Sequence, residues 1–292
     1  MPLEGQMDRK EEHMELLKGM AVVNAMKEGL KAEAEAMDCP PVLAIVRVGE
    51  RPDDLAYERG AKKRMSGLGI ETRGYVFDAS IGNDEFQKAF AQINQDPEVD
   101  GILLLRPLPK QIDEEAATRM IDPQKDVDGI SPINMAKVFM GDPEGFAPCT
   151  PEAVIELLRY TGVPLDGKRA VIAGRSLVVG KPLAMLLLKE NCTVTICHSR
   201  TKDLPAVCRE GEILIAAVGK AKLLNGSCAA KDSIVIDVGI NVDEEGKLCG
   251  DVDTESLDGI AAMTTPVPGG VGTVTTSVLA KHVIRAAKRR RV

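Results

Sequence analysis

One stretch near the middle of the chain, AVIAGRSLVVGKP at residues 170–182, constrains the fold most strongly. Its apolar run 170–173 predicts a short strand that is buried on both faces. Gly174 interrupts the run, and Gly180 begins an amphipathic helix. A strand–turn–helix of this kind directs free backbone N–H groups and the positive end of the helix dipole toward one point, which favours phosphate binding. The spacing differs from G-x-G-x-x-G, so taken alone it also fits any α/β protein.

The next strand indicates which nucleotide the turn would bind. TVTIC at 193–197 is apolar and β-branched, and HSRT follows it at 198–201. A site for NAD places an acidic residue about 20 residues after the turn, where it binds the ribose 2′-hydroxyl. Here the sequence offers Ser199 and Arg200, with Arg175 in the turn itself. Hydroxyls and cations suit a 2′-phosphate, so we predict NADP rather than NAD.

Strands and helices alternate on both sides of this stretch, which predicts an α/β fold with parallel sheets and right-handed crossovers. The segment 15–37 has helical periodicity and is predicted as one helix. Asn83 is the expected N-cap of the helix over 84–94. The other predicted helices cover 55–67, 114–121, 152–160 and 273–288, and the other predicted strands cover 42–48, 71–77, 101–105, 213–217 and 233–238.

The motif PCTP at 148–151 predicts a hinge between two domains. Thr150 is expected to cap the following helix, with Pro151 at its first position. We therefore predict two domains, each a mostly parallel sheet with flanking helices, the second Rossmann-like. The first would comprise residues 1–149 together with the final helix, 273–292, and the second residues 150–272. Small ligands usually bind in the cleft between two such domains.

Composition excludes several classes of protein. The net charge of −7 argues against a nucleic-acid partner, because a surface that follows phosphates needs excess Lys and Arg. No apolar run approaches the roughly 20 residues of a membrane span. The charged start, MPLEGQMDRKEEHMELL, lacks the apolar core of a signal peptide. Seven cysteines without a C-x-x-C pair predict reduced thiols and no metal site, and we expect a cytoplasmic protein.

Five blocks occur together in chain order: DVDG at 126–129, PCTP, AGRSLVVGKP, CHSRT and PVPGGVG at 266–272. In this order and spacing they resemble the methylenetetrahydrofolate dehydrogenase/cyclohydrolase family, from about residue 19 to the C-terminus. The resemblance implies that the first domain and the last helix bind a tetrahydrofolate-derived substrate. It also implies that the glycine-turn domain binds NADP and that the protein forms a homodimer.

The same resemblance implies roles for individual residues. Asp128 corresponds to the pterin-binding aspartate and Tyr57 to the ring-stacking tyrosine, and both are candidate catalytic residues. Pro266 and Gly270 belong to the loop beside nicotinamide and folate. The implied cofactor-binding residues are Gly174, Arg175, Ser176, Gly180, Ser199, Arg200 and Ile240.

Three positions depart from the family pattern, and all three belong to the folate site. Ala61 stands where the family has its catalytic lysine, Leu105 where it has the partner glutamine, and Asp54 where it has a serine. Asp54 and Leu105 remain candidate substrate-binding residues. Hydride transfer needs oriented ligands but no proton carrier, whereas the cyclohydrolase step needs acid–base catalysis, typically worth roughly 10²–10⁴-fold. We therefore expect a dehydrogenase with weak or absent cyclohydrolase activity.

Three alternatives remain open. Lys62 or Lys63 could restore a fully bifunctional enzyme, although an offset of one helical residue turns a side chain by about 100°. The chain could be a different NADP oxidoreductase that acts on a small acid. It could also be a non-catalytic binder of folate or nucleotide. Apart from these alternatives, Tyr57 taken alone could be an ordinary half-buried helix residue, and Asp128 an ordinary turn residue.

Overall fold

The computed structural model describes residues 13–291. Most of the charged start on which the signal-peptide prediction rests, residues 1–12, and the final residue lie outside the described part. The strands are β1 (Glu15–Leu16), β2 (Val42–Val48), β3 (Glu71–Phe77), β4 (Gly101–Leu104), β5 (Arg169–Ala173), β6 (Thr193–Cys197), β7 (Ile213–Ala216), β8 (Ile234–Asp237), β9 (Asn241–Val242), β10 (Leu248–Cys249) and β11 (Met263–Thr264). The helices are α1 (Gly19–Glu35), α2 (Pro52–Ser66), α3 (Asn83–Gln95), α4 (Glu114–Met120), α5 (Pro132–Met140), α6 (Cys149–Tyr160), α7 (Gly180–Lys189), α8 (Leu204–Cys208) and α9 (Val271–Arg290).

The strands form two parallel sheets, and the predicted fold class is confirmed. The first sheet has the order β3–β2–β4, and the second has the order β1–β11–β8–β7–β5–β6. Both faces of β2 and of β8 are covered, so each reads as an almost continuous apolar run. The short strands β9 and β10 form a separate antiparallel pair.

The last helix connects the two halves of the molecule. α9 packs against α1 and α2 of the first half and also against α6, which leads into the second half. Ile45, Ile172 and Val278 belong to one continuous buried cluster, although they come from the first sheet, the second sheet and α9. The two halves therefore share one core beneath the cleft that separates them.

The segment 15–37 is not one helix, contrary to the prediction. Glu15–Leu16 forms β1, which pairs in parallel with β11. The Glu15 N–H donates to the Ala262 carbonyl and the Leu17 N–H to the Thr264 carbonyl, and the helix begins only at Gly19. Backbone pairing with a strand almost 250 residues away in sequence overrides the local helical periodicity.

Three local predictions also need correction. Asn83 is the first residue of α3 rather than its cap, and its side-chain oxygen accepts the Asp113 N–H. Thr150 lies inside α6, which begins at Cys149. Helix α5 falls where no element was predicted, and its cap is Ser131, whose hydroxyl accepts the Asn134 N–H. No helix within residues 13–291 is long and apolar enough to cross a membrane.

Candidate active site

A cleft of about 1640 Å³ lies between the two halves. Its first-half wall comes from α2, from the segment after β4 and from the DVDG turn. Its other wall comes from the glycine turn after β5, from Ile240 and from the start of α9. Tyr57, Asp54, Leu105 and Asp128 all line it. The structure therefore brings together the candidate folate residues that lie on three separate elements.

Tyr57 and Asp128 lie in surroundings that favour their neutral forms. Burial raises the pKa of the Tyr57 hydroxyl well above its ordinary value, and the nearby Cys149 and Asp128 raise it further. Burial also raises the pKa of Asp128, against the hydrogen bond that the Cys149 N–H donates to it at 3.2 Å. Gly129 allows this turn to form, because a Cβ there would collide with the Phe146 carbonyl.

The positions at which the family resemblance expects a lysine and a glutamine are apolar in this chain. Ala61 has no exposed surface and Leu105 is 7 % exposed, and both pack in the cluster that Tyr57 borders. Ala61 lies on the core-facing side of α2 and does not line the cleft, whereas Leu105 does. Neither side chain can move a proton.

A group of charged residues lines the cleft together with Tyr57 and Leu105. Arg51 donates to both carboxylate oxygens of Asp54, at 3.0 and 2.7 Å, and also to the carbonyls of Arg106 and Pro107. This hydrogen bond to Asp54 raises the pKa of the Arg51 guanidinium. The Arg106 guanidinium lies 3.5 Å from Glu114. Asp54 is 7 % exposed, so the arrangement holds a carboxylate in a largely buried place next to Tyr57.

The two lysines after Ala61 point in different directions. The Lys62 ammonium lies 2.6 Å from Glu58, and a Cβ added at Gly74 on β3 would lie 3.4 Å from this ammonium group. Lys62 does not line the cleft, whereas Lys63 does. Lys63 follows Ala61 by two residues, about 200° around the helix, so it does not point where a lysine at 61 would.

The glycine turn has the geometry that its sequence suggested. Gly174 has φ = 134°, and a Cβ there would collide with the Ala217 carbonyl. A Cβ at Gly180 would collide with the Gly174 carbonyl, so the two ends of the turn touch. The Ser176 hydroxyl accepts the Val179 N–H, just before α7 begins. Only glycine at both positions permits this compact turn.

Polar groups that suit a 2′-phosphate surround the turn. The Gly174 N–H donates to the Cys197 carbonyl at 3.0 Å, which brings the end of β6 beside the turn. Arg175, Ser199 and Arg200 are exposed, and within the described chain neither arginine pairs with a carboxylate. The residues present therefore fit NADP.

The loop 266–272 contributes to the cleft mainly through Gly272. Pro266 and Gly270 pack within the loop itself, where a Cβ at Gly270 would lie 2.6 Å from the Pro266 carbonyl oxygen. Ile240 is 71 % exposed and lines the cleft. Leu177, Val178 and Leu248 are also exposed apolar residues on this wall.

Sequence reasoning missed these three apolar residues and also Arg51 and Arg106. The sequence did contain a sign that Leu177 and Val178 line a site, because two apolar residues stand there inside a glycine turn. Arg51 and Arg106 carry no such signal, because an arginine before a helix or after a strand has no fixed direction.

Curated relatives match nearly the whole chain. A protein of Alkaliphilus oremlandii named bifunctional protein FolD is 52 % identical over 276 residues, covering 94 % of this chain and 97 % of the relative. Another from Clostridioides difficile, with the same name, is 51 % identical over 94 % of this chain and 96 % of its own length.

These names overturn one expectation. Relatives that are about half identical to this chain are named bifunctional, which contradicts the expectation of weak or absent cyclohydrolase activity. The expectation rested on the apolar side chains of Ala61 and Leu105 alone. Ionisable side chains also line the cleft, among them the largely buried Asp54.

Solved structures share the fold. The bifunctional FolD dehydrogenase/cyclohydrolase of Campylobacter jejuni has a TM-score of 0.91 and 38 % identity, covering 95 % of this chain and 99 % of that one. The Trypanosoma brucei enzyme, solved with NADP and an inhibitor, has a TM-score of 0.88 and 33 % identity, covering 95 % and 98 %.

Models of one family match both halves of the chain. Residues 17–128 match the catalytic domain of tetrahydrofolate dehydrogenase/cyclohydrolase, and residues 148–291 match its NAD(P)-binding domain. The second match includes the glycine turn and the final helix α9. This chain therefore belongs to the tetrahydrofolate dehydrogenase/cyclohydrolase family.

Proposed function

We propose that this protein oxidises 5,10-methylenetetrahydrofolate with NADP and then hydrolyses the methenyl product to the formyl product. The observation that carries the proposal is the cleft, which is lined by Leu177 and Val178 of the glycine turn together with Tyr57, Asp54 and Asp128. Relatives named bifunctional and about 50 % identical support both activities.

The dehydrogenase step requires positioning above all. When bound, NADP accepts a hydride from the methylene carbon of the folate. Tyr57 offers its ring face to the pterin, and Asp128 binds polar atoms of the pterin through its carboxyl group. Leu177, Val178 and Ile240 present apolar surface that excludes water from the space between the two ligands. No protein group has to move a proton.

For the cyclohydrolase step we assign the proton transfer to Asp54. Its carboxylate accepts a proton from the attacking water while the C–O bond forms at the methenyl carbon. The proton of the resulting hydroxyl then passes to the departing folate nitrogen as the C–N bond breaks, and the net proton goes to solvent. Arg51 is a positioning residue, because it holds both carboxylate oxygens and is itself tied to the carbonyls of Arg106 and Pro107.

Asp54 fits this role better than either neighbouring lysine does. It lies three residues before Tyr57, which places the two side chains on adjacent turns of the same helix. Lys62 is held by Glu58 outside the cleft. Lys63 lies six residues beyond Tyr57, about 9 Å further along the helix axis.

Steady-state assays test the two activities separately. Asp54→Asn is expected to slow hydrolysis of the methenyl substrate by about 10²–10⁴-fold, because it removes the base. NADPH formation should fall less than tenfold, and the methenyl product should accumulate. The matched control is Asp53→Asn, which removes an exposed carboxylate beside Asp54 and should change either rate by less than threefold.

Two results would contradict this assignment. If Asp54→Asn hydrolyses the methenyl substrate at the wild-type rate, the proton carrier is another group. If wild-type protein forms no NADPH from methylenetetrahydrofolate, the proposed function itself fails. The homodimer and the cytoplasmic location stay predictions.

A further inference from the structure

Two buried carboxylates lie side by side at the carboxyl edge of the second sheet. Asp237 ends β8 and is 2 % exposed, and Asp251, which follows β10, has no exposed surface. The Asp251 N–H donates to the Asp237 carboxylate at 3.0 Å. Burial raises the pKa of the Asp237 carboxyl to about 6, and the nearby Asp251 raises it too, against backbone hydrogen bonds that lower it. Placing two acidic groups together in the interior opposes folding, so this pair needs an explanation.

Asp251 holds the segment that follows β7. One of its carboxylate oxygens accepts the N–H groups of Val218 and Gly219, at 2.6 and 3.0 Å. The other oxygen accepts the Lys220 N–H at 2.8 Å and, at 2.9 Å, the side-chain amide of Asn241 on β9. A single carboxylate therefore fixes the backbone of three consecutive residues and links it to the segment that follows β8.

Asp237 fixes the base of the hairpin formed by β9 and β10. Its carboxylate accepts the N–H groups of Gly239 and Val252, both at 2.9 Å, besides that of Asp251. Two glycines make this packing possible, because a Cβ at Gly239 would collide with Asp251 and one at Gly250 would collide with Asp237. The hairpin is thus attached to the sheet at a base that is built around the two carboxylates.

The segments that Asp251 holds border the nucleotide-binding half of the cleft. β5, β7 and β8 are neighbours in the second sheet, and open α/β sheets bind ligands at the carboxyl ends of their strands. The Ala217 carbonyl touches the glycine turn, because a Cβ at Gly174 would collide with it. Ile240 and Leu248, at the two sides of the hairpin base, both line the cleft. Asp251 is buried behind them, so it can act on a ligand only through these segments.

We propose that Asp251 is a positioning residue for the cofactor, which holds the segments after β7 and β8 in the arrangement that binds NADP. A site that is rigid before binding has a higher affinity, because the ligand does not have to order it. The inference rests on the proposed function only in taking NADP as the ligand of this half. If Asp251 served stability alone, its loss would lower the unfolding temperature and leave the affinity for NADP unchanged.

Equilibrium titration with NADP, in the absence of folate and well below the unfolding temperature, tests the proposal. Asp251→Asn keeps the size of the side chain but replaces one acceptor oxygen by an NH2 group, which then faces N–H donors. We expect the Kd for NADP to rise on the order of tenfold, because backbone donors without an acceptor shift the segments. In the NADPH-forming assay, the KM for NADP should rise by the same factor, and the KM for methylenetetrahydrofolate should change less than twofold.

A second variant tests the same role with a milder change. Asn241→Ala keeps the carboxylate of Asp251 but removes its link to β9. It should raise the Kd for NADP about threefold and hardly change the unfolding temperature. This variant decides the proposal if Asp251→Asn does not fold.

Two matched controls separate positioning from stability. Ile213→Ala leaves a cavity at the opposite, amino end of β7, and it should lower the unfolding temperature but leave the Kd for NADP within twofold of the wild type. Asp243→Asn changes a carboxylate of the same hairpin that accepts the N–H groups of Glu245 and Lys247 at the far turn. It should also leave the Kd within twofold.

The proposal is overturned if Asp251→Asn, or Asn241→Ala where the first variant does not fold, binds NADP as tightly as the wild type. It is also overturned if either control weakens binding as much as Asp251→Asn does. If the wild type does not bind NADP, the cofactor assignment of the proposed function fails, and the same titrations with NAD decide the role of Asp251. Wild-type protein that binds neither nucleotide would overturn both.

Discussion

The two walls of the cleft differ in what builds them. The NAD(P) wall depends on backbone geometry, since Gly174 and Gly180 bring main-chain atoms so close that no side chain fits between them. The folate wall depends on side chains. Examples are the Asp54 carboxylate, which accepts hydrogen bonds from Arg51, and the Asp128 carboxyl group, which accepts the Cys149 N–H. Backbone geometry leaves a strong pattern in the sequence, because few residues permit it. Side-chain sites can exchange their chemistry without changing the fold.

The largest loss of stability should follow from Gly174→Ala, which alters the NAD(P) wall, where backbone geometry determines the structure. The new Cβ would collide with the Ala217 carbonyl, and φ = 134° suits only glycine. We expect a loss of stability of about 4 kcal/mol, from backbone strain and overpacking together, and loss of NADP binding. Denaturant unfolding and cofactor titration would measure both.

Gly162→Ala is the control for that variant. Its φ is also positive, at 71°, but a Cβ there would meet nothing within 4 Å. It should cost only about 1 kcal/mol. Equal effects of the two substitutions would show that the close approach at Gly174 is unimportant.

The next largest loss of stability should come from Glu152→Gln. Glu152 lies beneath the folate wall. His282 lies 2.8 Å from both Glu152 and the Val127 carbonyl, next to Asp128, and Lys281 lies 2.9 Å from Glu152. Removing one partner of a buried ion pair should cost about 3 kcal/mol at pH 7. Thermal unfolding would show this loss, and a variant as stable as the wild type would contradict it.

The same group predicts an acid dependence. Burial alone would raise the pKa of Glu152, but the charges of His282 and Lys281 lower it far below 4.5. Its contribution to stability is therefore complete above about pH 4.5 and is lost as the pH falls further. The wild-type unfolding temperature should fall more steeply than that of Glu152→Gln below pH 4.5. Parallel curves would disprove this.

A smaller effect is expected at the rim of the NAD(P) wall. Arg200→Ser should raise the KM for NADP about 30-fold, since a charged hydrogen bond to phosphate contributes about 2 kcal/mol, and should change the KM for NAD little. Lys202→Ser is the matched control two residues on. If Arg200→Ser weakens both cofactors equally, the 2′-phosphate does not lie there.

The smallest change in stability should come from substitution of a glycine that lies in neither wall of the cleft. Gly29 lies inside α1, and a Cβ there would meet nothing within 4 Å. Gly29→Ala should stabilise the protein by about 0.5–1 kcal/mol, because alanine favours a helix interior. A loss of stability in denaturant unfolding would show that this glycine has a role that the structure does not explain.

Sequence reasoning succeeded where local chemistry determines local structure. The apolar run of β2 and the two glycines of the turn could be read directly, and with them the fold class and the nucleotide-binding half. It failed at β1, because that strand forms only through pairing with a segment at the other end of the chain.

The candidate site was predictable only in part. The resemblance located Tyr57 and Asp128, and the structure brings both to the same cleft. It did not reveal the hydrogen bonds between Arg51 and Asp54, because they depend on side-chain directions that no motif encodes. An absent residue in a motif therefore says less about activity than the groups that surround the vacated position.

The exchange of terminal segments between the halves has a mechanical consequence. β1 completes the sheet of the NAD(P) half, α9 returns to the folate half, and a further connection runs through PCTP. Three tethers thus cross from one body to the other at separated points, so neither body can swing freely about a single pivot. We therefore expect the two halves to move only slightly against one another, and we expect a cut in any one connection to increase that motion.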